Sequence, residues 1–221
     1  MKGKKRYAEA EVVWLEMGET LTLEGEPVLE YSISWPEVRG AGLGGKWISR
    51  YYRRLAECWK VRWRTRVYWL ACLSLARCRE ESRPFVPWKG ELQGKVTFLR
   101  DGLLSLKLEG EEIREPGRPC RVCWGDSWKV REGAPCLPGE LPGLGKGWKK
   151  RARKAIVEQG RAGQSRGEFF PDEDWEEKLR RRLPIQGLYM TQEGVELALP
   201  QSVLASGAEG TPTFLICPKE T

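Results

Sequence analysis

Histidine is absent from this chain of 221 residues. Its absence excludes the Ser-His and Cys-His nucleophile pairs, the iron site of two histidines and one carboxylate, and nearly all catalytic zinc sites. Acid–base chemistry would have to rely on carboxylates, lysine or tyrosine, and the sequence contains no GxSxG nucleophile motif. We therefore expect a protein that is not an enzyme and that uses no cofactor.

Long hydrophobic runs are also missing. A segment that spans a bilayer has about 18 to 20 apolar residues, and the longest candidate, "VYWLACLSLA" from Val67, has about half that number. The N-terminal "MKGKKRYAEAEVVWLEMGE" lacks the apolar core and the small-residue cleavage site of a signal peptide. As the sequence stands, we expect a cytoplasmic protein, although a chain whose signal had been removed would look the same.

Seven cysteines are an odd number in a domain too large to depend on disulfides, so mostly reduced thiols are expected. The stretch "GRPCRVCWGDSW" places Cys120 and Cys123 at CxxC spacing beside two tryptophans. A structural zinc site needs about four Cys or His ligands, and Cys136 would be a third. A redox dithiol belongs at the start of a helix, whereas this stretch is typical of strands. We interpret it as a turn or strand connection that holds no metal.

Two kinds of periodicity appear in the first third of the chain. Apolar and polar residues alternate in "VLEYSISWPEV", which predicts a half-buried strand over 29–35. A helix is predicted over 45–79, where Ile48, Tyr52 and Trp59 share one face with their apolar neighbours. Inside it, "WKVRWRTRVYW" alternates apolar and basic residues with a period of two, as strands do. We expect the helix to be irregular there.

Turn residues predict hairpins in the rest of the chain. In "GKVTFLRDGLLSLKLEG", Asp101-Gly102 supplies a type I′ turn. "RVCWGDSWKV" indicates a second, irregular hairpin around Gly125 to Ser127, and "LYMTQEGVELALP" indicates a third. "GWKKRARKAIVEQG" and "PDEDWEEKLRRRLP" predict two shorter helices, the second with acids at its start and bases at its end, as the helix dipole favours.

The order of these elements predicts an α+β fold, a mainly antiparallel sheet with one long helix and two shorter helices packed on it. We expect a single domain over residues 1–221, in which residues 1–27 form an N-terminal extension or an edge strand.

Five segments in order, "EYSISWPEV", "LRDGLLSLKLEG", "WKVREGAPCLPGEL", "FFPDEDWEEKLRRRL" and "LYMTQEGVELALPQSV", resemble a bacterial domain family of unknown function, over about residues 28–217. This family is found in the ectodomain of lysozyme-responsive anti-sigma factors, and related domains lie beside peptidoglycan deacetylase domains. The resemblance implies a non-catalytic α+β module, often extracytoplasmic, that binds a protein ligand. The chain departs from the family in carrying "REPGRPCRVCWGD" where many members have a Gly-Gly-Ala-His type of motif, and in lacking a sigma-binding region.

Three functions remain open, of which we favour a binding or sensing module for a protein or cell-wall-related ligand. Eleven tryptophans fit it, since tryptophan is common among interface anchors. The second is nucleic-acid binding, because the net charge is +7 and basic residues cluster at Trp148, Lys149, Lys150, Arg151, Arg153 and Lys154. Arg62, Arg64 and Arg66, which stand between tryptophans, could add phosphate contacts. The third is a glycan hydrolase that uses two carboxylates about 5 to 9 Å apart, for which the sequence nominates no pair.

Overall fold

The computed structural model describes residues 10–114, 119–185 and 187–219. Within them the chain forms a six-stranded sheet, a three-stranded sheet and helices on both sides of the larger sheet. In chain order the elements are β1 (Glu11–Leu23), β2 (Glu26–Arg39), α1 (Gly42–Arg62), a π turn (Trp63–Val67), α2 (Tyr68–Glu80), β3 (Trp88–Arg100), β4 (Leu103–Ile113), β5 (Pro119–Lys129), β6 (Ala134–Pro135), α3 (Trp148–Ser165), α4 (Trp175–Arg181), β7 (Gly187–Met190), β8 (Gly194–Ala198) and β9 (Thr213–Pro218), with short 3-10 turns at Pro138–Glu140 and Gly207–Glu209.

The larger sheet has the order β1-β2-β3-β4-β5-β6, with β2 and β3 parallel and the other neighbours antiparallel. A parallel pair needs a crossover connection, and the continuous helix over 42–80, which we call the long helix, supplies it across one face. The antiparallel sheet β7-β8-β9 packs on the opposite face, against β4 and β5. These findings confirm the predicted α+β class and the mainly antiparallel sheet with one long helix and shorter helices.

The hairpin at Asp101-Gly102 is confirmed. Both residues have positive φ, 54° and 79°, as a type I′ turn requires, and Arg100 lies opposite Leu103 across the turn. β1 is joined to β2 by the same kind of turn at Glu24-Gly25, and it lies at the edge of the sheet.

The predicted hairpin around Gly125 to Ser127 is wrong, because β5 runs through these residues as one continuous strand. Gly125 and Ser127, which suggested a turn, instead lie on the face of β5 that the second sheet covers. A Cβ at Gly125 would lie 2.0 Å from the ring of Tyr189, so glycine permits the close approach of the second sheet. The side chain of Ser127 is buried with its hydroxyl 2.6 Å from that of Ser105.

The irregularity predicted inside the long helix is confirmed as the π turn at Trp63–Val67. Buried residues recur mostly every four positions before and after it, at Ile48, Tyr52, Ala56, Trp63, Val67, Ala71 and Leu75. In a regular α-helix each step of four residues advances by about 40°, so such a series would rotate away from the sheet. The π turn takes up an extra residue and keeps the buried series facing the sheet.

Candidate binding surface

The solvent side of the long helix carries large apolar side chains that contribute little to the core. Each is more than half exposed, from 58% for Trp47 to 74% for Leu43. We call these residues the outer row: Leu43, Trp47, Val61, Trp69 and Leu73. Exposed apolar side chains grouped on one element are typical of a surface that another molecule covers.

The outer row explains the period-two pattern of "WKVRWRTRVYW". Trp63 and Val67 belong to the buried series, while Val61 and Trp69, with Thr65 between them, lie on the exposed side. Two series with a spacing of four residues, one on each face, add up to alternation along the sequence. Sequence reasoning missed the outer row because this alternation resembles a strand, but apolar residues on both faces of a helix were the signal that could have revealed it.

The long helix is also strongly basic. Between residues 42 and 80 there are ten Lys or Arg residues and two Glu, whereas the whole chain has a net charge of +7. Eight of the ten are exposed: Lys46, Arg50, Arg53, Arg54, Arg64, Arg66, Arg77 and Arg79. The Arg50 guanidinium lies 5.9 Å from the ring centroid of Trp47, so cationic and aromatic side chains form one surface.

A buried carboxylate fixes the long helix to the sheet at the π turn. Glu112 on β4 accepts hydrogen bonds from Arg62 at 2.7 and 3.1 Å, from Arg114 at 2.6 Å and from the indole of Trp63 at 3.1 Å. Burial by itself raises the pKa of Glu112, but the hydrogen bonds from the two arginines outweigh it and hold this pKa below its usual value. These contacts determine which residues of the helix face outward.

A second polar contact fixes the first half of the helix. The hydroxyl of Tyr52 donates to Asp126 Oδ2 at 3.0 Å and accepts from the indole of Trp128 at 2.8 Å. Burial raises the pKa of Asp126, and the hydrogen bond from Tyr52 acts in the opposite direction. Asp126 thus joins β5 to the helix rather than facing open solvent.

The basic cluster predicted to bind nucleic acid is divided by the structure. Two of its members are engaged internally. The Arg151 guanidinium donates to the backbone carbonyls of Leu144 and Lys146, and Arg153 Nε donates to that of Leu179 at 3.1 Å. These arginines hold the loop before α3 and the helix α4.

The three lysines of the cluster are exposed on α3. Lys149 Nζ lies 5.9 Å from the ring centroid of Trp148, which is itself half-buried against the core of the second sheet. Lys154 Nζ lies 3.6 Å from Glu158 Oε1, one helical turn further along α3. Arg151 is exposed as well, but two carbonyls engage its guanidinium, so Lys149, Lys150 and Lys154 are the members of the cluster most open to an external anion.

The two cysteines of the CxxC stretch lie on β5, not in a turn. Because they are three residues apart on a strand, Cys120 and Cys123 are on opposite faces; the first is exposed and the second is buried. Burial raises the pKa of the Cys123 thiol to about 11. Cys136 packs against the core between α3 and the second sheet. Within the described ranges, no three or more His, Cys, Asp or Glu side chains are placed to share a metal ion.

A polar groove of about 340 Å³ opens on the sheet face opposite the long helix. Glu91 and Glu111, which line it, are direct cross-strand partners, so their Cβ atoms are about 4.5–5.5 Å apart. Arg121 binds Glu111 at 2.6 Å. Glu91 and Glu111 are therefore neighbouring carboxylates of the kind that a glycan hydrolase would need. Of these two carboxylates, that of Glu111 is already engaged in the ion pair with Arg121.

The described helices include none with the length and apolar character needed to cross a bilayer. No protein-family model matches the sequence, and no curated protein matches it. Among solved structures, the fold is similar to a DUF3298 family protein from Pseudomonas aeruginosa PAO1, with a TM-score of 0.58 and 13% identity over 94% of this chain and 89% of the other. A member of the same family from Bacteroides fragilis NCTC 9343 has a TM-score of 0.58 and 9% identity over 94% of this chain and 90% of the other. At these identities the likeness concerns the fold, and it agrees with the predicted likeness to a bacterial domain of unknown function.

Proposed function

We propose that this chain is a non-catalytic binding module that recognises a protein ligand through the outer row of the long helix. The observation that carries the proposal is the exposure of Leu43, Trp47, Val61, Trp69 and Leu73 on one side of a single helix. Full burial of a side chain of this size contributes about 1.5–3 kcal/mol relative to exposure. A partner that covers the row would gain that contribution at several positions.

The composition of the surface supports a protein ligand over a cell-wall glycan. Trp, Tyr and Arg are the residues that dominate binding energy at protein interfaces, whereas Lys is depleted there. Of the ten basic residues between 42 and 80, eight are Arg and two are Lys. Aliphatic side chains such as Leu43, Val61 and Leu73 offer nothing to the hydroxyl groups of a sugar.

The ionisable groups inside the fold support a non-catalytic role. Glu112 and Asp126 are engaged by residues of the long helix, and the hydroxyl of the buried Tyr189 donates to Glu196 at 2.8 Å. Each of these contacts joins two elements of the fold. A catalytic carboxylate or phenol needs instead to reach a substrate.

The proposed function is tested by selecting random peptides displayed on phage against the wild-type protein at about 150 mM salt, a Debye length of about 8 Å. Selected clones are then measured against the Trp69→Ser/Leu73→Ser variant and against Phe170→Ser, a matched control that removes a 63% exposed aromatic residue elsewhere. We expect clones that lose binding to the double variant and keep it with the control. Clones that bind the double variant as well as the wild type would contradict the proposal.

Nucleic-acid binding through α3 is the second candidate, favoured by the three exposed lysines. We expect wild-type binding to a 20-nucleotide single strand to be weak and to decrease steeply between about 50 and 200 mM salt, as counterion release requires. The Lys149→Ala/Lys150→Ala/Lys154→Ala variant removes the accessible charge and leaves Arg151 to hold its loop. Fluorescence anisotropy measures the affinity of the wild type and of the variant for this single strand. Sub-micromolar affinity at about 150 mM salt that the variant loses would promote this function over the first.

A further inference from the structure

We infer that the ligand of the outer row is an acidic amphipathic helix of a partner protein. The inference rests on the proposed function and specifies the chemistry and the shape of its ligand. It follows from the charge beside the outer row, from the spacing of its residues and from the alternatives that these two features disfavour.

Charge selects an acidic ligand. The long helix carries ten basic and two acidic side chains. Arg62, Arg64 and Arg79 are paired with glutamates outside the helix, whereas the exposed Arg50, Arg54 and Arg66 lie beside the outer row. A second copy of this chain docked helix against helix would bring two such surfaces together, and like charges in contact disfavour association. A ligand that carries carboxylates beside its apolar residues is attracted to the same surface.

The spacing of the outer row selects a helical ligand. Leu43 and Trp47 are four residues apart, as are Trp69 and Leu73, and Val61 precedes Trp69 by two such steps. Rows of residues at this spacing form the ridges that fit between the side chains of a facing helix. From Val61 to Leu73 the row extends about 18 Å, which a helix of about 12 to 14 residues would cover.

Nucleic acid and membranes, the other ligands that basic surfaces bind, would make poorer contacts with this surface. A phosphate backbone is bound by cations and polar groups, and it offers no contact for Leu43, Val61 or Leu73. A helix that lies in a membrane interface needs a broad apolar face buried about 5–10 Å deep, whereas Arg54 and Arg66 interrupt the apolar side chains here. A facing helix needs a single row and can place its carboxylates on both sides of it.

The test is a display library of 14-residue peptides with a fixed helical pattern of Leu, Ile, Val or Phe and with Glu, Gln or Lys at the remaining positions. We expect selection on the wild type at about 150 mM salt to enrich Glu at least threefold over Gln and Lys. Selected peptides should bind the Trp69→Ser/Leu73→Ser variant at least tenfold more weakly and bind Phe170→Ser as they bind the wild type.

Enrichment of Gln or Lys, or equal binding to the double variant, would overturn the inference. So would outer-row-dependent binding to vesicles with phosphatidylglycerol, or to a 20-nucleotide single strand, that exceeds peptide binding. If unpatterned random peptides still require the outer row, the binding function stands and the acidic helix alone is rejected. If no peptide from either library distinguishes the double variant, both proposals fail.

Discussion

Replacement of Trp63 by alanine is expected to lower the free energy of unfolding by about 3–5 kcal/mol, the usual cost of truncating a buried tryptophan. Trp63 is completely buried at the π turn, with its ring centroid 5.4 Å from that of Tyr31 and 5.3 Å from that of Trp59. Its indole also donates to Glu112 at 3.1 Å. The variant therefore loses packing, aromatic contacts and one of the bonds that satisfy a buried carboxylate.

Trp69 is the matched control for this variant, since it is the same residue type on the same helix and is 67% exposed. Trp69→Ala is expected to change the free energy of unfolding by no more than about 0.5 kcal/mol, as is usual for exposed positions. Urea denaturation followed by circular dichroism measures both variants. Equal losses at Trp63 and Trp69 would show that the outer row is part of the fold rather than a surface kept for a ligand.

Replacement of Gly125 by alanine is expected to destabilise the protein by about 3–5 kcal/mol, at or above the upper end for an added methyl group in a packed core. The new Cβ would lie 2.0 Å from Cδ1 and 2.5 Å from Cγ of Tyr189, which is fully buried. Gly187 of the same sheet lies against the backbone of Trp124 and Gly125, so β7 has no room to move away sideways. The second sheet must shift as a unit or separate from β5.

Gly139 provides the control for Gly125, because a Cβ there would meet nothing within 4 Å. Gly139→Ala is expected to leave the denaturation midpoint nearly unchanged. Near-ultraviolet circular dichroism of Gly125→Ala should also lose the signal of aromatic residues packed between the sheets. A Gly125→Ala protein as stable as the control would mean that Tyr189 does not pack on β5 as described.

Local sequence signals were sufficient to predict the features of the fold that depend on residues close together in the sequence. Asp101-Gly102 forms its turn because both residues tolerate positive φ, and this requirement is readable from two letters. The amphipathic pattern of the long helix and the irregularity inside it were visible for the same reason. These features depend on contacts within one element or between consecutive strands.

Local sequence signals led to a wrong interpretation where the role of a residue depends on a contact with a part of the chain that is distant in sequence. Gly125 looked like a turn residue, but it is glycine because Tyr189, 64 positions later, packs on it. Arg151 and Arg153 looked like phosphate ligands, although carbonyl groups of a loop and of α4 use them. The outer row was hidden because its residues and the buried series merge into one alternating pattern, and the sequence does not show which face the sheet covers.

Indole resonances of the eleven tryptophans test the central account most directly. In a spectrum of the protein with nitrogen-15 in its tryptophan side chains, assigned through single Trp→Phe variants, a selected acidic peptide is titrated at about 150 mM salt. We predict that the indole signal of the exposed Trp69 shifts in proportion to bound peptide, while those of Trp63 and Trp128, which donate to Glu112 and Tyr52, stay in place. Shifts confined to Trp148 of α3, or peptide binding that leaves Trp69 unmoved, would contradict the assignment of the outer row as the binding surface.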